Sequence, residues 1–163
     1  MIMYLPQHGG GMKFYETISV GEQREFGEFQ ITKDEITEFA RKYDPQPFHL
    51  DEEAAKDSMF GELVASGWQT AAICMRLTVE NITDVATLGG LGVDNLRWHE
   101  PLRPGDTLHV RTEVLDKRIS ENRDDRGYVT RHFEGVTEDE TRVISYDAIV
   151  IVKRDTNDSD SSV

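Results

Sequence analysis

Apolar residues repeat every three or four positions in the first half of this chain and every second position in much of the second half. Ile36, Phe39, Ala40 and Tyr43 mark one face of a helix. Thr32 and Glu35 before it stand at the spacing of a capping box, with Ile31 and Ile36 at the hydrophobic-staple positions. Pro45 stops that helix. Asp51 is a good N-cap for a short second helix over Glu52 to about Lys56. From Gly67 to about Asn81 the first half is apolar or small on nearly every side, and Arg76 and Glu80 give a polar side near its end. That pattern predicts a helix buried by a sheet wrapped around it. Gly89-Gly90 breaks the pattern. Strands follow over Leu91 to Glu100, Asp106 to Arg118, Gly127 to Thr137 and Thr141 to Lys153, with an early one near Arg24 to Gln30. In the second of these, Leu108, Val110, Thr112 and Val114 alternate with His109, Arg111 and Glu113. The turn Pro104-Gly105, the loop Ser120 to Arg126 and the turn Glu138-Asp139-Glu140 punctuate them. One long buried helix followed by a run of antiparallel strands is an α+β layout.

A chain of 163 residues fits one domain, large enough for a core without disulfide or metal staples. The patterned sequence runs over 12–154. Residues 1–11 read as a flexible extension with Met12 as a candidate start, and 155–163 as an acidic disordered tail. The single cysteine, Cys74, lies in an apolar run, which excludes an intrachain disulfide framework and fits a reducing compartment. Neither a membrane-length apolar span nor a signal-peptide pattern is present, so a cytoplasmic protein with no membrane partner is expected. The net charge of −13 makes nucleic acid a poor partner. The carboxylates are spread along the chain and suit a halophilic surface, where salt screens self-repulsion; an ordinary acidic protein is the plainer alternative.

The segment Asp44-Pro45-Gln46-Pro47-Phe48-His49-Leu50-Asp51 carries the clearest chemistry. It sets a carboxylate and an imidazole five residues apart, with two prolines that keep the stretch out of a helix. A pre-positioned Asp/His pair is what acid-base work on a water molecule needs. Ser66-Gly67 follows at the head of the long helix, where a backbone N–H meets a developing oxyanion with the favourable end of the helix dipole. Taken singly, Asp44 is a helix-end residue, His49 a loop histidine and Ser66-Gly67 a cap with a packing glycine. Asp51 reads as a cap and Tyr43 as core. His99, His109 and His132 have no ligand-type spacing, so no metal is expected.

Tyr43-Asp44-x-x-Pro47-x-His49-x-Asp51, Phe60-Gly61, Ser66-Gly67 and Arg97-Trp98-x-x-Pro101-Leu102-x-Pro104-Gly105-Asp106 together resemble the MaoC-like dehydratase family, which includes the (R)-specific enoyl-CoA hydratases. The likeness runs from about Phe14 to Arg154. It implies the hot-dog fold, a curved antiparallel sheet around a central helix, and a homodimer or an assembly of dimers. It implies water addition across the trans-2 double bond of an acyl-CoA substrate, with no cofactor beyond the coenzyme A of that substrate. The catalytic set it implies is Asp44, His49 and Gly67, the last through its N–H. Gln46 stands where the family often has Asn, and Ser66 where it often has His, which bears on substrate preference.

Substrate contacts are expected from Gln46, Ser66 and Trp98, the last as a sheet-core or pocket-wall residue. Arg123 and Arg126 are candidates for coenzyme A phosphates, a solvated charged loop being their plainer reading. Two rival classes are a hot-dog acyl-CoA thioesterase and a non-catalytic acyl-CoA-binding subunit. The second needs neither Asp44 nor His49.

Overall fold

The computed structural model describes residues 11–156. The expectations for 1–10 and 157–163 lie outside the described residues. Asp155, placed at sequence level in the tail, is tied down: its N–H donates to Glu16 Oε2 at 3.0 Å, beside an Arg154–Glu16 ion pair.

The elements run in the order β1 (Gln23–Gln30), α1 (Lys33–Tyr43), α2 (Pro47–Leu50), α3 (Glu52–Lys56), α4 (Gly67–Asn81), β2 (Thr87–Trp98), β3 (Thr107–Ile119), β4 (Arg126–Thr137) and β5 (Arg142–Lys153). The strands form one antiparallel sheet in the order β1-β3-β4-β5-β2. This is the hot-dog arrangement, with α4 lying along the sheet face against β1, β3 and β5. The first helix starts as its sequence dictates. Thr32 Oγ1 accepts from Glu35 N, Glu35 Oε2 accepts from Thr32 N, and Ile31 and Ile36 are both fully buried. Asp51 caps α3 by accepting from Ala54 N.

The core forms where α4 meets the sheet: Ile73, Cys74 and Leu77 pack with Leu108, Val110, Phe133 and Ile144. The alternation read in β3 is the observed one, with Leu108, Val110, Thr112 and Val114 buried. Gly27 allows α4 to sit this close. It lies at φ +78° in a bulge of β1, and a side chain there would meet Leu77 Cδ2 at 2.9 Å.

Three expectations are corrected. The segment around His49 is not kept out of a helix, because Pro47 occupies the first helical position of α2, where a missing N–H costs nothing. Gly89-Gly90 does not end the pattern but lies inside β2, flanked by bulges. Tyr43 is 71 % exposed rather than core; it sits in the last turn of α1 and packs on Phe39, ring centres 4.9 Å apart.

Candidate active site

Asp44 is the C-cap of α1, its N–H closing the last turn on Ala40 O. Pro45 forbids another turn, and Pro47 then starts α2, which carries His49 back beside Asp44. His49 Nε2 lies 3.3 Å from Asp44 Oδ2, and its ring is almost completely buried. Nδ1 sits 2.7 Å from Val64 O. A carbonyl only accepts, so Nδ1 carries a proton, and in the neutral tautomer the Nε2 lone pair faces Asp44. At 3.3 Å no water fits between these two atoms, but one water beside the pair reaches both.

Asp44 is held by donors on both oxygens. Ser66 Oγ donates to Oδ2 at 2.6 Å and Gln46 Nε2 to Oδ1 at 2.8 Å. Burial pushes this carboxyl up, but the two donors and the His49 ring outweigh it and hold Asp44 below the ordinary carboxylate value. Asp44 is therefore ionised throughout the neutral range.

Ser66 is wholly buried and caps α4, its Oγ also accepting from Trp68 N at 3.3 Å. The next residue, Gly67, opens α4, and its N–H has no hydrogen-bond partner among the described residues. A free N–H at the positive end of a helix 15 residues long is suited to an oxyanion. Asp44, Gln46, His49, Gly67, Trp68 and Trp98 line one cleft of about 670 Å³. Cys74 is no competing nucleophile, since burial pushes its thiol up to about 12.

The structure thus brings together Asp44, His49, Gly67, Gln46 and Trp98. Ser66 stands behind Asp44 rather than on the cleft wall, so it acts through the carboxylate. Arg123 and Arg126 are not brought to the cleft. They lie at the β3–β4 connection, where Arg126 bonds Asp125 through Nε and Nη2 at 2.8 and 3.0 Å. Trp98 aligns across β5 with Gly135, so Arg126 begins β4 roughly 30 Å away along the strand. The Val64 carbonyl, which fixes the His49 tautomer, gives no sequence signal. The Ser66–Asp44 bond has only the N-cap serine to announce it. His99 also lines the cleft, its Nε2 2.7 Å from Ser145 Oγ; burial and then Arg142 push it down, leaving a neutral ring.

Ser66→Ala separates these roles. Losing the cap costs about 1 kcal/mol in urea unfolding. A donor to a carboxylate lowers its pKa, so removing Ser66 Oγ raises that of Asp44. The acid limb of the pH–rate profile then moves to higher pH. An acid limb that stays in place would show that Ser66 does not tune Asp44.

The MaoC like domain model matches residues 16–134. YdeM of Bacillus subtilis (strain 168) is 30 % identical over 140 residues, covering 85 % of this chain and 98 % of that protein. The crystal structure of a MaoC-like dehydratase from Rhodospirillum rubrum superposes with a TM-score of 0.82 at 43 % identity, covering 88 % of this chain and 98 % of that one. The R-hydratase PhaJ1 from Pseudomonas aeruginosa shares the fold with a TM-score of 0.69 at 24 % identity, covering 87 % of this chain and 86 % of that one. With the sheet order, the central helix and the motif residues in one cleft, these matches make the chain a member of the MaoC-like dehydratase family.

Proposed function

We propose that this protein hydrates a trans-2-enoyl-CoA reversibly to the (R)-3-hydroxyacyl-CoA. The observation that carries the reading is the convergence of Asp44, His49 and the free Gly67 N–H on one cleft. A water beside Nε2 and Asp44 Oδ2, within reach of both, gives a proton to Nε2 as its oxygen bonds to C3. The C2–C3 π electrons move towards C1, and negative charge grows on the thioester oxygen. Gly67 N–H and the α4 dipole stabilise that charge. C2 then takes a proton delivered through the Asp44–His49 pair, which closes the proton balance. Kinship with proteins named dehydratases and a fold shared with an R-hydratase support the reaction class. Coenzyme A as carrier, the (R) outcome and a cytoplasmic setting belong to the proposal.

The same reading includes a homodimer, supported by the outer edge of β2, unpaired among the described residues, and the apolar residues beside it. The test of function is spectroscopic. With crotonyl-CoA the conjugated enoyl absorbance falls without release of free thiol. Thiol release at the same rate would make the protein a thioesterase instead, and no change with any enoyl-CoA would leave it a binding subunit.

A further inference from the structure

Beside Gly67 stands an aromatic pair that the proton transfers do not use. A Cβ built on Gly67 would lie 2.5 Å from Trp98 Cε2 and Nε1 and 2.9 Å from Cδ1. The indole therefore rests directly on the backbone that carries the free donor. Trp68, the second residue of α4, braces it edge-on, with ring centres 5.1 Å apart and an interplanar angle of 82°. Both rings line the cleft, yet Trp98 is 46 % and Trp68 59 % exposed. Large apolar rings left half in water beside a reacting centre await something that covers them.

An oxygen that accepts from Gly67 N–H lies about 2.9 Å from that nitrogen, within contact range of the indole. The adenine of coenzyme A is at the far end of the pantetheine arm from the thioester. Rings this close to Gly67 therefore meet the thioester end. A donor is worth more to a developing oxyanion when water is kept from it.

We infer that Trp98, braced by Trp68, forms the wall over the thioester: its indole packs against the carbonyl held by Gly67 N–H and excludes water from it. This rests on the proposed thioester chemistry. It also explains why position 67 is glycine, since any side chain there displaces the indole.

The test uses the whole chain. Gly67→Ala keeps the N–H but expels the ring, and kcat/KM for crotonyl-CoA falls by at least about tenfold. Adding Trp98→Ala gives the new methyl group room, so the double variant is faster than Gly67→Ala alone. Trp98→Ala by itself lowers kcat more than it raises KM, and Trp98→Phe recovers part of the loss. The chain has two tryptophans, both at this site, so Trp68→Phe leaves Trp98 as the single tryptophan reporter. Its emission changes on titration with the unreactive thioester butyryl-CoA and changes less with free coenzyme A. The inference is overturned by a double variant no faster than Gly67→Ala, or by emission that stays silent at butyryl-CoA concentrations that inhibit turnover. If the protein hydrates no enoyl-CoA but Trp98 still reports butyryl-CoA, the wall stands and the hydratase reading falls. Silence in both assays overturns both.

Discussion

His49→Ala lowers crotonyl-CoA hydration by at least about 10²-fold, and Asp44→Asn does the same, with the fold retained in each. The two losses have different causes. Without His49 there is no Nε2 lone pair to take the proton from water. The amide of Asp44→Asn still fills the space between Ser66 and Gln46 but no longer holds the negative charge that orients the water. Removing His49 also leaves Val64 O without its ring partner in a buried setting. His49→Gln, whose amide can donate to that carbonyl, controls for this: it keeps the melting temperature nearer the parent and stays inactive. Because both residues handle one water, the double variant is little slower than either single one. Circular dichroism establishes the fold, and the enoyl absorbance gives the rate. Near-normal turnover in either single variant would remove the acid-base assignment.

Much of this arrangement is legible in local sequence. Local rules settle α1 and α4: Thr32 and Glu35 make the capping box, and the length from Gly67 to Asn81 is set by its own pattern. Period-two alternation settles β3, because one face of that strand is buried. The trio Asp44, His49 and Gly67 is legible because each member sits at or beside an element boundary that sequence marks well. What escapes depends on tertiary context. Gly89 and Gly90 read as a break, yet they belong to an edge strand that needs hydrogen bonds on one side only. Tyr43 holds a helical core position, but at the last turn of α1 its ring is left exposed. Arg123 and Arg126 suit phosphates by charge alone, whereas only the strand register tells how far they lie from Trp98. The meeting of Trp68 with Trp98 joins residues 30 positions apart through packing that no local pattern encodes.

Val79→Glu on α4 or Leu91→Glu on β2 converts the proposed dimer to monomers and takes most of the hydration activity with it. β2 is an edge strand 12 residues long, bonded on one side to β5, and its sequence TLGGLGVDNLRW contains neither lysine nor proline to guard the open side. Beside that edge Leu88, Leu91 and Val93 are half exposed, as are Met75 and Val79 on α4. Burying the exposed half of each side chain contributes on the order of 1 kcal/mol, to which new edge hydrogen bonds add. Arg131, 3 % exposed, lines the apolar groove between α4 and β2, and its Nη1 and Nη2 have no hydrogen-bond partner among the described residues. Glu22 and Asp84 offset part of its charge, but a buried guanidinium without hydrogen bonds is costly, and an acceptor from a second copy would relieve it. Within the chain α4 runs from beside Trp98 to beside Thr87, antiparallel to β2. A two-fold pairing of β2 with its own copy sets the partner's α4 antiparallel to this one, so the Val79 end of one helix adjoins the Trp68 end of the other. That end borders the catalytic cleft, which is why assembly and activity fall together. A glutamate on this face meets its own copy across the axis or enters an apolar seam, and repels either way in an already acidic protein. Light scattering in high salt, where screening weakens general repulsion, isolates the interface effect. A parent protein that is active as a monomer would remove the shared site, and variants that remain fully dimeric would place the second copy elsewhere.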